Sequence, residues 1–390
     1  MERSMQGLKV LDFSMGIAGP QAGMLCAMQG ADVVKIESLQ GDWSRTLGPQ
    51  FGDLTAYATV CNRGKRSLAI DLKDSAALQA VRMLAQQADV VIEAFRPGVM
   101  ERLGLGYRDL SADNPNLVYL SVNGFGSNGP MVDAPATDIV LQAFTGFMYT
   151  NCGNDGTPRR LDQFIIDQTT GLYAFQCIAT SLLEIARTGR GGRHIECSLL
   201  SAALALQASK IAEKHLTPQE QAYFVPLGVY ASKDGFVSMS VRTDEHFARL
   251  CHLLGRGDLL QCQRYTSNAQ RVASKTELEA ILCAEFLQLS SAQLAGLLAQ
   301  ADILHSQVMD YAALLQHPQV QSAQAVEWLQ QDGIDAAVPV ACIPGSTASA
   351  HPQQAPHIGQ HSQEVLAEWG VGAALLKELQ ARGSVRCRPD

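Results

Sequence analysis

Asp167 stands where Phe164-Ile-Ile166 hands over to Gln-Thr-Thr-Gly171 and a long apolar stretch. A carboxylate at such a junction, near the N-terminus of a helix predicted over 170–186, has two uses. As a cap, Asp167 or Thr169 would satisfy free backbone donors for about 1 kcal/mol. As a nucleophile, Asp167 would be held at the positive end of the helix and attack an electrophilic carbon. On the local pattern alone the cap is the simpler use.

The second chemical feature is a run of cations, Arg63, Lys65, Arg66, Lys73, Arg96 and Arg102. In a chain of formal net charge −8, a local basic excess can cradle a phosphorylated ligand through short charge-assisted contacts. The same run also fits a solvated face. The third feature, Gly124-Phe-Gly-Ser-Asn-Gly129, fits the spacing of a dinucleotide fingerprint. That fingerprint needs a helix opening at its third glycine, whereas Pro130, Asp133 and Pro135 follow here. The loop Ser14-Met-Gly-Ile-Ala-Gly-Pro20 lacks the spacing too, so both loops read as structural turns. The ten cysteines contain no C-x-x-C pair, which removes zinc ribbons and dithiol redox motifs and leaves buried, reduced thiols.

The elements that must position these residues alternate. Residues 8–13 read as a strand, 20–29 as a helix with Pro20 in its first turn, and 32–36 as a second strand, a βαβ unit. Helical periodicity over 73–88 leads into a strand at 89–93, and 117–122 repeats the short apolar run. This pattern argues for a parallel sheet covered on both faces. After the helix at 170–186 come a strand at 195–199 and a helix at 200–210. A hairpin follows over 229–240 with Asp234-Gly235 at its turn, then helices at 245–254, 275–289 and 291–301. A strand at 338–343 and helices over 362–382 close the chain. With 390 residues, 47% of them hydrophobic and 17% charged, the chain suits two domains and lies far from the composition of disorder. The negative charge gives no broad attraction to nucleic acid or anionic membrane. No apolar leader and no run of about 18 apolar residues occurs, so the expected setting is cytoplasmic.

Several segments, in this order, resemble the family III CoA-transferases, the CaiB/BaiF type. They are Gly7-Leu-Lys-Val-Leu-Asp-Phe13, Ala18-Gly-Pro20, Gly30-Ala-Asp-Val-Val-Lys-Ile-Glu37 and Gly41-Asp42, then Asn62 with Lys65-Arg66-Ser67, and Asp71-Leu-Lys73. Ala88-Asp-Val-Val-Ile-Glu-Ala-Phe-Arg-Pro-Gly98, Asn114-Pro115, Ser121-Val-Asn-Gly-Phe-Gly126, Asp138 with Gln142-Ala143 and Gly146, Asp167 with Thr170-Gly171, Gly189-Arg-Gly191 and Ala355-Pro-His-Ile-Gly359 complete the series. The resemblance implies an α/β fold with a Rossmann-like large domain and a smaller α+β domain, in a homodimer of two interlocked rings. The large domain would occupy 1–210, a linker 211–224, the small domain 225–325, and 326–390 would return to the large domain.

The resemblance further implies that Asp167 is the nucleophile. Ile17, Ala18, Ile70, Lys73, Phe95 and Arg102 would hold CoA, with Lys73 and Arg102 on its phosphates. Asp138 would stand behind the nucleophile, and backbone amides of the segment from Gly16 to Gly19 would meet the oxyanions of acyl transfer. No metal and no permanently bound cofactor are needed; the partners are an acyl-CoA, succinyl-CoA or similar, a free carboxylic acid, and a second copy of the chain. Some relatives have Gln where Ile17 stands, Arg where Ser38 stands, and Asn where Ala94 stands, and no glycine-rich lid is visible between Thr217 and Leu227. A distal carboxylate on the substrate would need a cation such as Arg160 or Arg242, or a polar pocket. Two other readings exist: an α-methylacyl-CoA racemase, whose relatives carry His directly before the acid where this chain has Thr137-Asp138, and a non-catalytic CoA-binding protein.

Overall fold

The computed structural model describes residues 3–153, 155–217, 222–345 and 353–388. The short apolar runs become parallel strands: β1 (Lys9–Asp12), β2 (Asp32–Glu37), β3 (Arg66–Ile70), β4 (Val90–Glu93), β5 (Val118–Asn123) and β6 (Arg193–Ser198). They lie in the order β3-β2-β1-β4-β5-β6, and a two-residue strand, Val385–Arg386, adds antiparallel to the β3 edge. Alternate residues of each strand enter opposite cores, as the period of two requires. Leu11, Val34 and Val91 pack under helix Ser75–Ala85 and the C-terminal helices Ser362–Glu368 and Ala373–Ala381. Val10, Val33, Ile92 and Leu120 pack under helices Ala18–Met28 and Ile165–Thr188. The order reverses direction between β1 and β4, so the crevice beyond their C-terminal ends is where such a sheet receives a ligand.

This sheet belongs to the first of two compact units, Met1–Ile211 with Gln324–Asp390; the second is Ala212–Ala323. The second unit carries an antiparallel sheet, β7 (Leu227–Ala231), β8 (Phe236–Ser240) and β9 (Leu304–Gln307). Tyr230, Val237 and Met239 pack there against Leu250, Leu282 and Leu298 of three helices. The hairpin turn falls at Asp234-Gly235 as its sequence suggests, while β9 was not foreseen. Among the described residues no single helix is long and apolar enough to cross a membrane.

Some boundaries differ from expectation. The helix expected at 170 starts at Ile165, so Asp167 lies inside its first turn. The helix expected over 200–210 is two, Leu199–Leu206 and Ala208–Leu216. The second occupies the first residues of the segment expected to be a linker. Residues 218–221 of that segment, within the span read for a lid, lie outside the described residues. Beyond Gly129 the chain turns, and a helix begins only at Asp138, in keeping with the rejected dinucleotide fingerprint.

Candidate active site

Under the loop that leaves β1 lies a fully buried set of four charges. Lys35 Nζ meets Asp42 Oδ2 at 2.8 Å and donates to Ser14 O at 2.9 Å. Lys65 Nζ meets Asp12 Oδ2 at 2.7 Å and donates to Pro20 O at 2.7 Å and Asn62 Oδ1 at 2.9 Å. The two acids then hold the loop backbone: Ser14 N donates to Asp12 at 3.0 Å, and Gly16 N to the two oxygens of Asp42 at 3.0 and 3.1 Å. Buried charges persist only when paired and hydrogen-bonded. Burial pushes the Asp12 carboxyl up, but the charges of Lys65 and Lys35 and hydrogen bonds from Lys65 and Ser14 together outweigh it and hold the group ionised, below the usual carboxylate range. Gly16 has φ +82, and a Cβ there would come within 2.1 Å of the Trp43 ring. Its amide faces Asp42, which corrects the expectation that it serves an oxyanion. The amides of Ala18 and Gly19, in the first turn of helix Ala18–Met28, have no acceptor among the described residues.

That helix touches the Asp167 helix at a close approach: a Cβ on Gly171 would lie 2.8 Å from Ala18 O. Gln21 Nε2 also donates to Gln168 O at 3.3 Å. Contact at this point brings the first turns of both helices to one cavity. The cap of the Asp167 helix is a distant residue. The buried Asp138 accepts from Ile166 N at 2.7 Å and Asp167 N at 3.0 Å through Oδ2, and from Gln142 Nε2 at 2.6 Å through Oδ1. Gln142 in turn accepts from Leu161 N at 2.9 Å and donates to Leu161 O and Gln163 O, both at 3.2 Å. Asp167 therefore has no capping duty, and no group among the described residues donates to its carboxylate. Burial, joined by the negative charge of Asp138, pushes the Asp167 carboxyl up to about 7.

The cavity that Asp167 enters has a volume of about 400 Å³. Met15, Ile17, Ala18 and Gly19 after β1, Trp43 after β2, Ala94 after β4, Asn123 and Gly124 at the end of β5, Asp138, Ile139 and Phe164 form its walls. No histidine is among its lining residues. A second groove of about 280 Å³, between Phe95-Arg96-Pro97 and residues 132–136, shares Ala94, Val122, Asn123, Gly124 and Ala136 with the first. The two spaces adjoin across these shared residues, at the strand ends where the strand order reverses.

The structure thus brings together Asp167, Asp138, Ile17, Ala18 and Gly19 at one cavity and Phe95 at the adjoining groove. Ile70 ends β3 with its side chain buried in the core, and neither Ile70, Lys73 nor Arg102 is among the residues that line these two spaces. The basic run also divides. Lys65 is spent on Asp12, Arg66 on Asp32 and Glu368, both at 2.6 Å, and Arg63 NH2 donates to Ala341 O at 2.9 Å. Lys73, Arg96 and Arg102 are exposed after β3 and β4 with no carboxylate partner among the described residues. Arg160 pairs with Asp162 at 2.8 Å on the surface. Arg242, in the second unit, lies 6.0 Å from the Phe224 ring centre. The sequence assigns no site role to Asn123, Trp43 or Phe164, although Asn123 lies within Ser121-Val-Asn-Gly-Phe-Gly126, since nothing local marks a residue that becomes a wall only when remote loops converge.

The family model described as CoA-transferase family III matches residues 5–362. The chain is 33% identical over 381 residues to succinate–glutarate CoA-transferase of Agrobacterium fabrum, covering 93% of this chain and 95% of that protein. It is 30% identical to succinyl-CoA:glutarate CoA-transferase of Homo sapiens, covering 94% and 86% respectively. A CaiB/BaiF family protein from Brucella suis has a similar crystal structure, with a TM-score of 0.86 and 30% identity over 95% of this chain and all of that one.

Proposed function

Since the chain belongs to CoA-transferase family III and is an enzyme that moves CoA between an acyl-CoA and an acid, we propose that it does so through covalent intermediates on Asp167. The observation that carries this reading is an unpartnered carboxylate lining a cavity, freed from capping by Asp138. An Asp167 oxygen attacks the thioester carbonyl of the donor, the C–S bond breaks, and CoA leaves as thiolate from a mixed anhydride. The thiolate then attacks the Asp167 acyl carbon, releasing the donor acid and leaving an aspartyl-CoA thioester. The acceptor carboxylate attacks that thioester to give a second anhydride and thiolate, and attack of thiolate on the acceptor's acyl carbon releases the new acyl-CoA and Asp167. Each intermediate keeps the acyl group activated. The amides of Ala18 and Gly19 are suited to donate to the oxyanions, with an effect of a few kcal/mol on each barrier.

Succinyl-CoA is the first donor to test, because relatives named for succinate and glutarate stand at this level of similarity. Purified protein with succinyl-CoA and a panel of free acids should yield new thioesters by mass spectrometry. Absence of any product across mono- and dicarboxylic acids would reject transfer from this donor. The phosphates of CoA are assigned to Lys73 and Arg102, and the acyl-proximal portion to the path past Phe95, Ala18 and Ile17. Lys73→Ala and Arg102→Ala should each weaken CoA binding roughly tenfold and leave the remainder less sensitive to salt. Calorimetric titration at two salt concentrations checks this, and unchanged affinity in both variants would return these residues to a solvated face. We also propose the interlocked homodimer with domains near 1–210, 225–325 and 326–390. Sedimentation should find a dimer at micromolar protein, and a folded species of 42.0 kDa would contradict it.

A further inference from the structure

We propose that Asn123 is a further catalytic residue, whose side-chain amide donates a hydrogen bond to the carbonyl oxygen of the acyl group under attack. The inference rests on acyl transfer at Asp167 and adds to it a residue outside the nucleophile and the amides after β1. Asn123 ends β5, at the sheet edge that faces the cavity. It lines both the Asp167 cavity and the adjoining groove. That junction is where a thioester must sit if its CoA portion runs along the groove and its acyl carbon faces Asp167. Its orientation is fixed locally: Oδ1 accepts from Gly126 N at 2.7 Å, so the acceptor end is taken and Nδ2 is the end left over. No acceptor for Nδ2 exists among the described residues, the side chain is half-buried, and Nδ2 is not among the buried unpartnered atoms, so it keeps contact with solvent. The other residues shared by the two spaces are Ala94, Val122, Gly124 and Ala136, none of which has a side-chain donor.

When Asp167 attacks, the carbonyl π pair moves onto oxygen; it then re-forms the C=O bond as the C–S bond breaks and the charge leaves on the thiolate. Asn123 transfers no proton in this step. It donates one hydrogen bond that strengthens as the oxygen becomes anionic. Loss of one such donor typically costs about 10²–10³ in rate. Asparagine has both an acceptor for the Gly126 amide and a donor for substrate, and aspartate keeps only the first.

The test compares Asn123→Asp and Asn123→Ala with the unaltered protein in single turnover, reading the rate at which acyl-CoA labels Asp167 and, separately, the affinity for CoA. Both variants should form the same adduct on Asp167 about a hundredfold more slowly, with CoA affinity changed less than threefold, roughly the reach of an indirect effect. A thiono-substituted acyl-CoA, whose sulfur is a poor acceptor, should react with the unaltered protein and with Asn123→Ala at rates closer to one another than the ordinary substrate does. A normal labelling rate in Asn123→Asp would overturn the proposal, because the turn to Gly126 would then be the side chain's whole use. Parallel losses of rate and CoA affinity in both variants would overturn it too, showing that Asn123 shapes the groove. Failure of the Asp167 reading is separate: the unaltered protein would then carry its label elsewhere or not at all.

Discussion

Replacing Asp167 by asparagine should leave a folded protein that binds CoA and has lost transfer by several orders of magnitude. Asparagine keeps the size of the side chain, and the helix start rests on Asp138, whose bonds to Ile166 N and Asp167 N involve only backbone at position 167. An amide oxygen cannot form the anhydride, so the chemistry stops while the architecture stays. The same change should stabilise the protein at pH 8. Burial and Asp138 raise the carboxyl from 3.8 to about 7 in the folded state, so between these values the folded state holds a proton that the unfolded chain has lost. Stability therefore falls as pH rises from about 4 to about 7, by an amount on the order of 4 kcal/mol at ~1.4 kcal/mol per unit. A neutral amide in its place carries no such cost, and the melting temperature of the variant should exceed the parent's by several degrees at pH 8, with the gap closing toward pH 4. Transfer by the parent should rise with pH through about 7, as the attacking carboxylate ionises. Equal melting temperatures at pH 8 would mean that the carboxyl is not strained by its site.

The second large effect is on stability. Lys65→Met should destabilise the first unit by about 3–5 kcal/mol, because it leaves Asp12 buried without its directly bonded cation and with only the more remote Lys35 charge. The ammonium also satisfies Pro20 O and Asn62 Oδ1, so the loss reaches helix Ala18–Met28 as well as the loop from Ser14. Transfer should fall along with stability, since the first turn of that helix presents the Ala18 and Gly19 amides. Adding Asp12→Leu to Lys65→Met should recover part of the stability, as an apolar pair replaces a broken ion pair, though Ser14 N then loses its acceptor. Urea unfolding followed at fixed m-value gives the comparison. A single variant within 1 kcal/mol of the parent, the reach of an exposed pair, would show that the four charges do not brace the site.

The alternation of apolar runs made the parallel sheet legible, and the ordered motifs made the family legible. The start of the Asp167 helix was not, for a physical reason. Its N-cap position is Phe164, with no side-chain cap, and the β-branched pair Ile165-Ile166 reads as extended chain. The capping carboxylate comes from Asp138, a residue 29 positions before Asp167, so local spacing carried no signal of it. β3 was missed because Arg66 and Ser67 interrupt the apolar pattern. Their polar groups are met by remote partners, Arg66 by Asp32 and Ser67 by Glu37 at 2.6 Å. The same limit applies to the basic run: which of its members are free is decided by Asp12, Glu368 and Ala341, far along the chain.

The most direct test of the covalent account is to trap the intermediate. The protein is incubated with acyl-CoA and quenched with hydroxylamine or borohydride, which attack an aspartyl thioester, and its peptides are then mapped by mass spectrometry. The account predicts a mass change confined to Asp167, dependent on acyl-CoA and absent from Asp167→Asn. A label on another residue, or near-normal transfer by Asp167→Asn with no label anywhere, would contradict it.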